Sequence, residues 1–124
     1  MAEVITTAEA PAPSAAYSQG FRSGSMLWLA GQVGIDPVTG DVAEGVAGQT
    51  RQALRNLEAV LRAAGGSLES LVKTICFLSR VDAFAEFNAA YEQVMGDHQP
   101  PRSTVGVELA SGYLVEIEGL AVIE

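Results

Sequence analysis

Hydrophobic positions along this chain first alternate, then recur at helical spacing, then alternate again, and these changes divide it into elements. Residues 8–16, AEAPAPSAA, read as an extended lead-in interrupted by proline. Residues 17–22 and 26–33 read as two strands joined through Ser23-Gly24-Ser25, a short hairpin connection. The second of these, MLWLAGQV, is apolar almost throughout, which is the pattern of a strand covered on both faces. Gly31 inside it marks a bulge or a place where something approaches the backbone. Asp36-Pro37-Val38-Thr39-Gly40 reads as a turn, because proline fixes φ and glycine accepts a positive one. From residue 45 to 64 the period changes. Val46, Thr50, Ala53, Leu54, Leu57, Val60, Leu61 and Ala64 fall three and four apart, an amphipathic helix stopped by Gly65-Gly66.

Residues 71–79 return to strand, with Val72, Cys76 and Leu78 on one face and Leu71, Ile75 and Phe77 on the other. Asp82 is the expected N-cap of a second helix that carries Phe84, Phe87, Tyr91, Val94 and Met95 and ends at Gly96. Residues 102–109 and 113–123 form two closing strands across Ala110-Ser111-Gly112. The order is β-β-α-β-α-β-β, an α+β domain covering residues 1–124. Two helices cover one face of a small sheet, yet the strands at 26–33 and 71–79 are apolar on both. Another copy of the chain is the expected cover, so a homo-oligomer follows.

Composition narrows the class. Of 124 residues, 48% are hydrophobic and 18% charged, which excludes disorder. A net charge of −8 removes the basic footprint that nucleic acid or an anionic membrane requires. With one cysteine (Cys76) and one histidine (His98), neither an internal disulfide nor a zinc cluster is expected. No basic-then-apolar leader opens the sequence and no apolar run is long enough to span a bilayer, so a cytoplasmic location is expected.

The last strand carries the candidate chemistry. Leu114, Glu116, Glu118, Leu120 and Val122 share one face, and Val115, Ile117, Ala121 and Ile123 the other. Two carboxylates in an aliphatic row fit either a solvated edge or a cleft where a buried carboxylate must pair or shift its pKa. Arg102 follows Pro100-Pro101, which restricts the backbone ahead of it. It reads either as a surface arginine or as a fork for a small carboxylate. Tyr17 fits a cleft or the rim of the core, and Asn88 fits a cavity wall or an exposed helix face. Cys76 reads as a small core hydrophobe and His98 as a solvated loop residue.

These residues stand in a series of short motifs. They are Ala15-Ala16-Tyr17-Ser18-Gln19, Leu29-Ala30-Gly31-Gln32, Gln49-Thr50-Arg51-Gln52-Ala53-Leu54 with Asn56-Leu57, and Val72-Lys73-Thr74. Phe87-Asn88 with Tyr91, Pro101-Arg102-Ser103-Thr104-Val105 and Val115-Glu116-Ile117-Glu118 follow. In this order they resemble the Rid (YjgF/YER/UK) proteins, from about residue 8 to the C-terminus. The resemblance implies a chorismate-mutase-like α+β fold, with two helices on one face of a mixed sheet, and a homotrimer with clefts between subunits. It implies hydrolysis of 2-imino and enamine acids to 2-oxo acids and ammonia, without metal or cofactor. By that resemblance Arg102 holds the substrate carboxylate and Glu118 positions or activates water. Tyr17 and the Gly31 backbone line the site, and Asn88 lies close to it. Ala15-Ala16, Ala30 and Thr104 stand where many relatives have Gly-Pro, serine and cysteine. A small-molecule-binding module without catalysis is the alternative; ribonuclease action, attributed to some relatives, fits poorly with the negative charge and the single histidine.

Overall fold

In the computed structural model, which describes residues 2–124, the apolar periodicities resolve into six strands and two long helices. They follow as β1 (Ala2–Ile5), β2 (Gly20–Ser23), β3 (Met26–Val33), α1 (Gly45–Ala63), β4 (Leu71–Leu78), α2 (Phe84–Met95), β5 (Arg102–Gly106) and β6 (Val115–Val122). The sheet runs β1-β2-β3-β6-β4-β5, and every neighbouring pair is antiparallel except β4 with β5. The last strand in sequence therefore sits in the middle, hydrogen-bonded on both edges, which explains its aliphatic composition.

Both helices lie on one face. Leu54, Leu57 and Leu61 of α1 are fully buried in one cluster with Leu27 and Leu29 of β3 and Ile117 and Ala121 of β6. Burial of each such side chain stabilises the fold by about 1.5–3 kcal/mol before the entropy of ordering it is subtracted. The Gly65-Gly66 stop works as the sequence indicates. Gly65 takes a φ of +88°, its N–H donates to Arg62 at 3.0 Å, and the Gly66 N–H donates to Leu61 at 2.8 Å. The turn at 36–40 is also as read: the Asp36 carboxylate accepts from the Val38 N–H at 2.8 Å, and Gly40 has a φ of +79°.

Several expectations are corrected. The chain opens with β1, which pairs with β2 as an extra edge strand. Tyr17 to Gln19 are not strand: Gln19 turns inward, accepts from the Thr7 N–H at 2.7 Å and donates to the Thr7, Ala10 and Pro11 carbonyls at 3.0, 3.2 and 2.8 Å. One buried amide thus straps the lead-in to the body of the protein. In β4 a register shift between Leu71 and Lys73 puts Leu71 on the helix side with Thr74, Cys76 and Leu78, and leaves Val72 exposed. Asp82 caps nothing; it pairs with Arg80 at 3.0 Å within a short 3₁₀ turn, and Ala83 precedes α2. His98 is tied by its Nε2 to the Leu71 carbonyl at 2.9 Å. β5 ends at Gly106, short of residue 109, and a 3₁₀ turn at 110–112 leads to β6.

The other face of the sheet has no cover among the described residues. Val4, Phe21 and Trp28, 55%, 44% and 48% exposed, form a cross-strand row that continues to Leu120. Three large exposed side chains in line on one sheet face are more than scattered surface hydrophobicity.

Candidate active site

Arg102 opens β5, opposite Thr74 of β4 in parallel register, and the Thr74 N–H donates to the Pro101 carbonyl at 3.0 Å. The two prolines and this bond fix the strand entrance, and the side chain turns toward α2. There the guanidinium carbon lies 4.7, 5.5 and 5.7 Å from the ring centres of Tyr91, Phe87 and Phe84. Residues 84, 87 and 91 recur at three- and four-residue spacing, so one face of the helix supplies all three rings. Such contacts are worth about 0.5–2 kcal/mol each, and a planar cation can stack where an ammonium would only touch. The Tyr91 hydroxyl is bonded to Thr74 Oγ1 at 2.8 Å, and burial raises the phenol's pKa, with the Thr74 bond opposing. Arg102 makes no ion pair among the described residues. With Asn88, Tyr91, Glu92 and Met95 it lines a cavity of about 340 Å³.

A second concavity, of about 390 Å³, lies at the bulge in β3. Pairing with β6 shifts between Leu29 and Gln32, so Ala30-Gly31 bows out of the ladder. Tyr17, Gly31, Tyr113 and Glu116 line it, together with Pro11 and Ser14 of the strap that Gln19 holds. A methyl group at Gly31 would collide with the Glu116 carboxylate, whose Cδ would lie 2.9 Å away. Both sequence readings of Gly31, bulge and close approach, are therefore correct. Gly31 also borders a neighbouring hollow that holds Ser18, Phe21, Trp28 and Glu118. Glu116 and Glu118 face away from the helices, opposite Phe77 and Ile75 of β4. Desolvation and, second, the charge of Glu118 raise the pKa of Glu116.

The five sequence candidates thus fall into two groups. Arg102 and Asn88 share the cavity on the helix side of the sheet, while Tyr17, Gly31 and Glu118 gather around the bulge and the uncovered face. Among the described residues, none of these three cavities holds members of both groups. The sequence reading missed the aromatic bed beneath Arg102, although the Phe84, Phe87, Tyr91 spacing was the available signal. It also missed Tyr113 and the strap held by Gln19, which no local pattern announces.

A family model described as Endoribonuclease L-PSP matches residues 7–123. The chain belongs to the Rid (YjgF) family. Among its relatives, this Rid protein is 42% identical to a RutC family protein of Pyrococcus horikoshii, over 98% of each chain. It is likewise 42% identical to the 2-iminobutanoate/2-iminopropanoate deaminase of Salmonella typhimurium, again over 98% of each. Its fold matches the crystal structure of Escherichia coli TdcF with bound serine, with a TM-score of 0.94 and 35% identity, covering 98% of this chain and 99% of that one. The α+β architecture with two helices on a mixed sheet is therefore the Rid fold. No helix among the described residues is long and apolar enough to cross a membrane.

Proposed function

We propose that this Rid protein hydrolyses reactive 2-imino and enamine acids to 2-oxo acids and ammonia, at sites formed between subunits of a homotrimer. One observation carries the reading: Arg102 is a fork-shaped cation held on three rings, bordering a cavity, with no carboxylate among the described residues paired to it. A held, unpaired guanidinium suits a small carboxylate from outside. The name of the Salmonella typhimurium relative and the serine bound to Escherichia coli TdcF support an amino-acid-like ligand.

The division of the candidates into two groups supports a shared site. A second copy covering the Phe21–Trp28–Leu120 row would shield it from water and bring its Arg102 and Asn88 to the Gly31 bulge of the first. In that seam Arg102 of one subunit grips the carboxylate. The Gly31 backbone and Tyr17 of the other bound the substrate, and Glu118 of that subunit orients the attacking water. A protonated imine carbon is already electrophilic, so positioning and a polarised water suffice. Water adds to C2, a carbinolamine forms, and its C–N bond breaks to release ammonia.

The test is hydrolysis of 2-iminopropanoate generated in situ, followed by ammonia release for the parent and Arg102→Ala. The expected loss in kcat/KM for the variant corresponds to about 2–3 kcal/mol. Equal kcat/KM in the two proteins contradicts the assignment.

A further inference from the structure

The motif at residues 49–54 holds a buried glutamine that the site as described does not use. Gln49 of α1 packs against Gly34, and its Oε1 accepts from the Leu114 N–H at 2.9 Å, while the Leu114 carbonyl accepts from the Ser79 N–H at 3.1 Å. Immediately before this doubly anchored residue stands Tyr113, whose own N–H donates to the Ala110 carbonyl at 3.2 Å. That bond closes a turn in which Ser111 takes a φ of +57° and Gly112 one of +72°. A serine in the left-handed region is unfavourable by itself and persists where its surroundings hold it. The starting point of the Tyr113 ring is therefore fixed from α1, from the end of β4 and from the turn.

The ring stands between two hollows. Ala110 and Tyr113 line both the cavity of about 390 Å³ at the Gly31 bulge and a hollow of about 700 Å³ bordered by Ser79, Glu108 and Ser111. Of the two shared residues only Tyr113 has a side chain large enough to divide these spaces. Through Ala30 and Gly31 the bulge cavity also adjoins the hollow that holds Glu118. Gly31 thus has the Glu118 hollow on one side and, on the other, a compartment walled by Tyr17 and Tyr113.

We propose that Tyr113 is the specificity-determining residue of the site: its ring closes the compartment that receives the substrate side chain and sets the length that fits. This rests on the deaminase reading above and deepens it. With the carboxylate gripped by Arg102 of the neighbouring subunit and water arriving from the Glu118 side of Gly31, the side chain on C2 is left with the Tyr17–Tyr113 compartment. A methyl or ethyl group stops short of the ring. A longer chain runs into it, and the anchored backbone does not carry the ring aside. Without the ring the two hollows join, and the longer chain extends toward Ser79 and Ser111. A wall held on fixed backbone discriminates by size more sharply than one on a mobile loop.

The experiment compares 2-iminopropanoate with 2-iminohexanoate, made in situ from alanine and norleucine by an amino-acid oxidase, for the parent, Tyr113→Ala and Tyr113→Phe. Calorimetry of pyruvate and 2-oxohexanoate accompanies the kinetics. The parent should favour the shorter imine. In Tyr113→Ala the ratio of kcat/KM for the longer imine to that for the shorter is expected to rise at least about tenfold, and the ratio of affinities for the two oxo acids should rise with it. Tyr113→Phe keeps the ring, so both ratios should stay within about twofold of the parent. Should Tyr113→Ala not fold, Tyr113→Leu must move both ratios in the same direction by a smaller factor. A variant that slows both imines equally and leaves the ratios unchanged overturns the proposal, because a purely structural residue behaves in that way. So does a parent that treats the two imines alike. A parent inactive on both imines overturns the deaminase reading, and the oxo-acid affinities then decide the role of Tyr113 on their own. An active parent whose ratios do not respond to Tyr113→Ala overturns this assignment alone.

Discussion

The Arg102 guanidinium lies 4.7 Å from the centre of the Tyr91 ring, and the hydroxyl of that ring is bonded at 2.8 Å to Thr74, the residue paired with Arg102 across β4 and β5. Strand, helix and cation therefore form a closed loop. The threonine fixes the ring, the ring supports the guanidinium, and the guanidinium springs from the strand beside the threonine. Removing the Tyr91 hydroxyl leaves a fully buried Thr74 hydroxyl without this partner. Tyr91→Phe is expected to destabilise the protein by about 1–3 kcal/mol in urea unfolding, and adding Thr74→Val should recover part of that loss.

Charge alone does not account for this arrangement. Arg102→Lys keeps the cation and loses both the planar stack and the two-pronged grip on a carboxylate. The expected result is at least about a tenfold rise in KM for the imino acid, with stability changed by less than about 1 kcal/mol. Steady-state kinetics beside thermal melting separates the two effects.

The strap held by Gln19 carries part of the cavity wall at the Gly31 bulge. Gln19→Leu removes the bonds to Thr7, Ala10 and Pro11 and so frees residues 7–11 to open locally. Amide exchange at Thr7, whose N–H donates to Gln19, should accelerate at least about tenfold, while exchange in α1 changes little.

What the sequence made legible follows from where the physics is local. Helix α1 is written in one face of leucines and a double glycine, and both stand in the structure as read. The alternation that exposes Glu116 and Glu118 on one face of β6 is equally local. Strand β1 was not legible, because an edge strand four residues long gains its identity from pairing with β2. The faces of β4 were misread because a bulge at Val72 shifts the alternation by one, and bulges are set by partner strands. At the site, Arg102 and Gly31 stood out by their types and neighbours. The rings under Arg102 come from another element, and only the fold brings them there.

Cys76 gives a prediction independent of the site. It is fully buried, and desolvation pushes its thiol up to about 11, with the charge of Arg102 opposing. The folded state therefore holds the proton more tightly than the unfolded one. The resulting stability is full below the ordinary thiol value near 9.0 and is lost as the pH rises through about 11. The contribution is on the order of 2–3 kcal/mol. Unfolding free energy should decline between these pH values more steeply in the parent than in Cys76→Ala. Thiol reagents at neutral pH should label Cys76 only on unfolding.

In the proposed seam one subunit supplies Arg102 and another supplies Glu118. The most direct test mixes two variants each expected to be strongly impaired alone, Arg102→Ala and Glu118→Gln, by unfolding and refolding them together, and measures ammonia release from 2-iminopropanoate. A seam that takes its arginine from one variant and its glutamate from the other is intact, so random assembly should restore about a quarter of parental activity. No recovery, from mixtures that assemble as the parent does, contradicts a site shared between subunits.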